Sequence, residues 1–394
     1  MWFALILACT MPEEEDVVPE SAVALDWGSA NRSEAVLVTD RPGGGWYVVI
    51  EIASPARRDP RLISIDDDGT VVWEEQWGGQ GDDEADVITP LSNGLVAAGG
   101  RRPLNPTADS DSLANLTIID PAVPEVVDSL FYEWNASNES DRIAGITEVE
   151  DGTLAMVGEA GPQLLFAEVD VDGETLFQER LGPEIIDVEG TIPLGEGTFV
   201  MYGTATATDV EDFNDDGQMW AAEVNRGGNI VRQVSAGELY RVREVGTDLA
   251  ISESDWILAG ETGDFEDPDV RLASFGPAGE LNWDIVWDSG GPDRDPQLTV
   301  GPDGTVWGAV VRNRDELVPL RIDRETGDVR RLTGVVDVDR VRDLWVDDER
   351  FCVALALPGD VKGGYLASFV CGVFEGDEII WPPLRDLPDV DDDA

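Results

Sequence analysis

Apolar residues in this chain come in short runs separated by Gly, Asp, Asn and Pro, and no stretch sustains a helical period. Short apolar segments that follow a turn occur at Trp46 to Ile50, Leu95 to Gly99, Leu154 to Gly158, Phe199 to Gly203, Trp256 to Gly260, Val306 to Val310 and Phe351 to Leu355. Their starts lie 49, 59, 45, 57, 50 and 45 residues apart. Seven units of that length cover nearly the whole chain, which marks a repeat architecture.

Other strands recur in the same order inside each unit. Inner strands are expected at Ala85 to Leu91, Ile143 to Val149, Gly190 to Leu194 and Gln297 to Val300. Third strands are expected at Arg61 to Asp66, Asn115 to Asp120, Leu164 to Asp170, Met219 to Asn225, Val270 to Phe275, Leu317 to Asp323 and Tyr365 to Val370. Turns such as Asp68-Gly69, Asp172-Gly173, Gly227-Gly228 and Ala278-Gly279 follow, where hairpins need positive backbone torsions. Fourth strands carry Trp73, Trp134, Phe177, Trp283 and Trp381. Four strands per unit, repeated along the chain, predict an all-β propeller of four-stranded blades, seven by this count, with six or eight as the alternatives.

The segment Trp73-Glu-Glu-Gln-Trp-Gly-Gly-Gln-Gly-Asp-Asp-Glu-Ala-Asp86, running into Val87 to Gly100, resembles the repeat of bacterial secreted and lipoprotein β-propellers. Those repeats run Trp, Gly-Gly-x-Gly-Asp-Asp, a strand, a turn Gly and a strand ending Ala-Gly. Trp283 to Gly291 and Asp255 to Gly260 repeat parts of the pattern, and the sixth and seventh units depart from it. The resemblance covers residues 22 to 384 and implies fold and export, with no catalytic residues attached to it. Ring closure has two candidates. Ala22 to Trp27 resembles an outer strand that would complete the last blade, yet Glu378 to Trp381 does too, which gives eight outer strands for seven blades.

The amino terminus, Met1-Trp-Phe-Ala-Leu-Ile-Leu-Ala-Cys9, resembles a bacterial lipoprotein signal with its lipobox, although it lacks a basic leading segment. The resemblance implies that residues 1–8 are removed and Cys9 carries the lipid. Residues 9–21, with Pro12-Glu13-Glu14-Glu15-Asp16, would be an acidic tether, 22–386 the propeller and 387–394 an acidic disordered tail. By the sorting rule of the family it resembles, Thr10 after the cysteine implies an outer-membrane lipoprotein of the cell envelope, facing the periplasm or the surface.

Charge narrows the functions. The chain has 394 residues with 26 Lys+Arg against 82 Asp+Glu, a formal net charge of −56. Nucleic-acid binding is excluded, because it needs cations that neutralise phosphates. Membrane contact is expected through the lipid anchor only. Histidine is absent and Lys362 is the only lysine, which removes Ser-His-Asp and Cys-His nucleophiles, His-ligated metals and a Walker-type phosphate loop. So acidic a surface also predicts destabilisation at low ionic strength.

Three sets of residues remain as candidate sites. Cys352 and Cys371 lie on successive apolar runs joined by Pro358 to Gly364, so an antiparallel hairpin would set them opposite each other as a cross-strand disulfide; the alternative is two free buried thiols. Asp212-Phe-Asn214-Asp-Asp216-Gly217, followed by Glu223, matches a calcium-loop spacing in which alternating oxygen side chains surround a hard cation. Glu223 falls within a predicted strand, and an acidic solvated loop is the alternative. Asp66 to Gly69 and Asp170 to Gly173 read as turn chemistry, Asp82-Asp83-Glu84 as a cap on a blade connection, and most tryptophans as packing between blades. Trp220, beside the calcium-type loop, is the exception to watch as a binding platform. Two functional readings follow: a non-enzymatic, lipid-anchored binding or scaffold module for a protein or glycan partner, or a carboxylate-based polysaccharide hydrolase or lyase using the channel, with calcium.

Overall fold

The computed structural model describes residues 22–382 apart from 28–32, 54–56, 80, 104–111, 135–139, 150–151, 162, 171, 182–185, 207–216, 238–242, 265, 314, 337, 359–364 and 377. Strand β1 (Val23–Trp27) precedes the first blade. Blade 1 is β2 (Ser33–Asp40), β3 (Trp46–Ala53), β4 (Arg58–Ile65) and β5 (Val71–Gln76). Blade 2 is β6 (Glu84–Pro90), β7 (Val96–Pro103), β8 (Ser112–Asp120) and β9 (Glu125–Tyr132). Blade 3 is β10 (Asp141–Glu148), β11 (Leu154–Ala160), β12 (Gln163–Val169) and β13 (Thr175–Leu181). Blade 4 is β14 (Ile186–Gly195), β15 (Thr198–Thr206), β16 (Gly217–Val224) and β17 (Ile230–Ala236). Blade 5 is β18 (Arg243–Ser252), β19 (Asp255–Asp264), β20 (Asp267–Phe275) and β21 (Leu281–Trp287). Blade 6 is β22 (Asp293–Val300), β23 (Val306–Arg312), β24 (Glu316–Ile322) and a split outer edge of β25 (Val329–Arg331) and β26 (Val335–Val336). Blade 7 is β27 (Arg340–Val346), β28 (Arg350–Pro358), β29 (Tyr365–Glu375) and β30 (Glu378–Ile380).

Every sheet is an antiparallel meander, and the innermost strands β2, β6, β10, β14, β18, β22 and β27 neighbour one another around a ring. The molecule is therefore a seven-bladed β-propeller. The two closure candidates share one long strand. The outer edge of β29 pairs Ala367 to Cys371 with β1 and Val373 to Glu375 with β30. Amino- and carboxy-terminal segments thus meet in blade 7, and the eighth outer strand needs no eighth blade.

A sheet with two buried faces must find apolar partners on both sides, and here each interface between blades holds its own apolar cluster. Tryptophan contributes to all seven. Trp46 fills the interface of blades 7 and 1, Trp77 that of 1 and 2, and Trp134 that of 2 and 3. Trp220, Trp256, Trp283 and Trp307 continue the series. Trp220 is 1% exposed, so it packs in the core and cannot serve as a platform.

Candidate functional site

Each innermost strand carries a register irregularity at the same repeat position, and β14 has a second between Pro193 and Gly195. The shared one falls between Ala35 and Leu37, Ala85 and Val87, Ile143 and Gly145, Val188 and Gly190, Gly246 and Asp248, Arg294 and Gln297, and Val341 and Asp343. A bulge opposes two residues to one and re-aims a side chain. Four of the extra residues on this ring of strands are charged: Asp86, Glu189, Asp295 and Arg342. They lie toward the end where the innermost strands begin, which we term the channel mouth.

Charged groups at the mouth link neighbouring blades. Arg342 of blade 7 meets Glu34 of blade 1 at 2.8 Å, Arg58 of blade 1 lies 3.7 Å from Glu84 of blade 2, and Arg142 of blade 3 lies 3.6 Å from Asp86 of blade 2. A second link recurs at one repeat position of the second strand, five residues after Trp46, Leu154, Phe199 and Trp256. There Glu51, Glu159, Thr204 and Glu261 accept the backbone N–H of Ala85, Val188, Gly246 and Asp295 in the next blade, at 3.4, 2.8, 3.1 and 3.1 Å. Residues that directly follow the bulges add a third. Asp248 accepts Leu298 N–H from blade 6 at 2.5 Å, and Asp343 accepts Val38 N–H from blade 1 at 2.7 Å.

Burial sets the protonation of these carboxyls. Desolvation pushes Asp248 and Asp343 up to about 7, against the N–H groups that favour their charged forms. It pushes Glu51 to about 7 although Arg58 opposes it, and Asp295 to about 6 with help from Glu261. Glu189 touches channel solvent but is crowded by protein, and desolvation with neighbouring Asp187 brings it to about 7. Tyr202 hydrogen-bonds Asp248 and is raised well above the usual phenol value, first by burial. Its hydroxyl passes over Gly190, where a Cβ would lie 2.2 Å from it.

The sequence-derived candidates fall as follows. Cys352 and Cys371 are register partners in β28 and β29, with Cα atoms 4.0 Å apart, and are joined as a disulfide. Cys9 lies outside the described residues, as do Asp212, Asn214 and Asp216. Glu223 lies on β16 opposite Val200 and Arg232, six residues from Gly217 and so about 20 Å along the strand from the loop end. Asp68 and Asp170 do turn chemistry: Asp68 accepts Thr70 N–H at 3.0 Å, and Asp170 accepts Asp172 N–H at 3.0 Å. Asp82 and Asp83 cap the connection into blade 2, accepting Arg58 N–H at 2.7 Å and Gly79 N–H at 2.8 Å.

Among the described residues, Asp269, Asp288 and Asp293 bring carboxylate oxygens within 4.8 Å of one another. Asp269 and Asp293 are the repeat counterparts of Asp59 and Asp83. In the blade 1 to 2 connection Arg57 pairs Asp59 at 2.8 Å and Arg102 lies 3.5 Å from Asp83. In the blade 5 to 6 connection Asp267 stands where Arg57 would be, and Asp288 where Gly78 would be. Burial and the surrounding carboxylates accordingly raise Asp269.

The bulge ring and the second-strand acids were not singled out from sequence. Their signal is the dipeptide Gly-Glu or its variants closing the second strand, as in Gly158-Glu159 and Gly260-Glu261.

No family model matches the chain, and no curated protein matches it. Among solved structures it is similar to virginiamycin B lyase from Staphylococcus aureus, at 12% identity over 88% of this chain and 98% of that one, TM-score 0.54. It is similar to polysaccharide lyase Uly1 at 10% identity, over 87% and 90%, TM-score 0.56. The β-propeller domain of the Trilobed protease from Pyrococcus furiosus matches at 11% identity, over 93% and 99%, TM-score 0.51. Identities this low show the propeller fold alone. That last propeller is described as having an open velcro topology, whereas here β1 pairs with β29.

Proposed function

We propose that this protein is a non-enzymatic binding or scaffold module, anchored in the cell envelope through a lipid on Cys9, whose channel mouth receives a protein or glycan partner. The observation that carries this reading is the use made of the mouth carboxylates. Glu34, Glu51, Asp86, Glu159 and Glu261 are spent on joining one blade to the next, so they build a rigid rim rather than wait for a substrate. Outer-membrane placement and calcium held by Asp212, Asn214 and Asp216 belong to the same proposal, without Glu223, which β16 carries away from that loop. Cys9→Ala should move the protein from the membrane fraction to the soluble fraction. Cross-linking on intact cells with Glu189→Lys and Arg342→Glu should lose the partner that the unaltered chain captures; capture unchanged by both would remove the mouth from the proposal.

A second reading rests on a specific observation. Asp248, Asp343 and Glu189 hold protons near neutrality around one channel, with Tyr202 beside Asp248, which suits general acid chemistry on a polysaccharide. Turnover of a polysaccharide that Asp248→Asn or Asp343→Asn abolishes, in a variant that still folds, would establish it over the first.

A further inference from the structure

A cleft of about 200 Å³ opens between blades 6 and 7 on the face opposite the channel mouth. Its floor is Trp307 and Phe374, whose ring centroids lie 5.0 Å apart. Asp303, Asp347, Asp348 and Arg321 stand around it. Two departures from the repeat create it. At the position of Trp307 the other blades carry Tyr47, Ala97, Ala155, Val200, Ile257 and Cys352, all buried, whereas Trp307 is half-buried. At the position of Gly301 they carry Arg41, Leu91, Val149, Leu194, Ser252 and Asp347. A Cβ at 301 would lie 2.9 Å from the Trp307 indole nitrogen, so the missing side chain uncovers the indole N–H. No hydrogen-bond partner for that N–H occurs among the described residues.

The groups facing the cleft select the ligand class. Asp303 is held ionised by Thr305, whose N–H and hydroxyl it accepts at 2.9 and 2.8 Å. Asp347 is held by Arg350 at 2.8 Å, and Asp348 is exposed. An anion would meet three carboxylates. An organic cation would meet Arg321, whose guanidinium already lies 5.8 Å from the Trp307 ring centre, and would leave the indole N–H unused. A neutral sugar presents hydroxyls that both donate and accept, and an apolar C–H face that covers aromatic rings.

We propose that this cleft is a saccharide-binding site in which a neutral pyranose lies on Trp307 and Phe374, accepts from the indole N–H and donates to Asp303 and Asp348. It goes beyond the glycan-binding reading, on which it rests for the ligand class, by adding a second site on the face away from the mouth. The test is calorimetric titration of the full chain with cellohexaose, laminarihexaose, mannohexaose and maltohexaose, beside oligogalacturonate and chitosan oligomers as charged controls. Saturable binding of at least one neutral oligosaccharide is expected. Trp307→Phe, which keeps an aromatic ring, and Gly301→Ala, which crowds the N–H, should each weaken it by about tenfold or more, with melting temperatures confirming that both fold. Glu125→Lys, exposed at the start of β9 on the outer edge of blade 2, should leave it unchanged. No neutral binder, binding of charged oligomers alone, or affinity indifferent to both cleft variants would overturn the proposal. If saccharide binding is lost on Glu189→Lys and not on the cleft variants, the cleft falls while a glycan-binding mouth stands.

Discussion

Glu261 shows how single residues act in this ring. It is 6% exposed, and its carboxylate takes the Asp295 N–H of the neighbouring blade. Glu261→Ala removes that acceptor and strands a buried donor, so unfolding in urea should show a loss of about 1–3 kcal/mol. The raised acids give a pH dependence with a definite sign. Asp248, Asp343 and Glu51 titrate near 7 when folded and near 4 when unfolded, so the native state holds more protons between those values. Their contribution to stability is complete below about 4 and is lost as pH rises through about 7. The melting temperature should therefore rise on going from pH 8 to pH 5, and Asp343→Asn should flatten the rise. Some of this was legible in sequence and some was not. Turn acids such as Asp68 announce themselves through a following Gly, whereas Asp248 and Glu261 look like any of 82 acidic residues until register brings them against another blade.

At the scale of elements, the second strands were the most legible, because each is buried on both faces and reads as a continuous apolar run, as in Trp46 to Ile50 and Trp256 to Gly260. Outer strands were harder to delimit. They face solvent, as the pattern of β13 shows, and Trp134 lies past the end of β9. Closure could not be decided from composition, since β1 and β30 both look like outer strands and only the length of β29 lets both pair. The two should differ in weight. Deleting residues 1–27 removes a five-residue pairing with β29 and opens the ring, so it should abolish cooperative unfolding at the native melting temperature, whereas truncation after Glu375 removes three pairs and should lower that temperature by less. Within blade 7, replacing Cys352 and Cys371 together by Ala should cost about 3 kcal/mol by the chain-entropy model for a loop of this separation. Denaturant unfolding with and without reductant measures it directly.

For the molecule as a whole, charge dominates. At −56, self-repulsion favours expansion, and the arginines are drawn into pairs within and between blades, as Arg58, Arg142 and Arg342 are. Added salt should raise the melting temperature by screening the remaining surface carboxylates. The repeat suggests a local version of that effect. Asp267→Arg restores at the blade 5 to 6 connection the cation that Arg57 supplies at the blade 1 to 2 connection, so it should raise the melting temperature at low ionic strength and lose its advantage in high salt.

Sequence by itself determined the all-β class, the seven repeats and the packing of most tryptophans between blades, because turn chemistry and runs of apolar residues are local properties that act wherever the chain goes. The tertiary structure alone decided which outer strand closes the ring, which acids join blades, and that Trp220 is core while Trp307 meets solvent. Those outcomes depend on register and on which blade lies alongside, and residues more than 300 positions apart, such as Glu34 and Arg342, meet only when the ring closes.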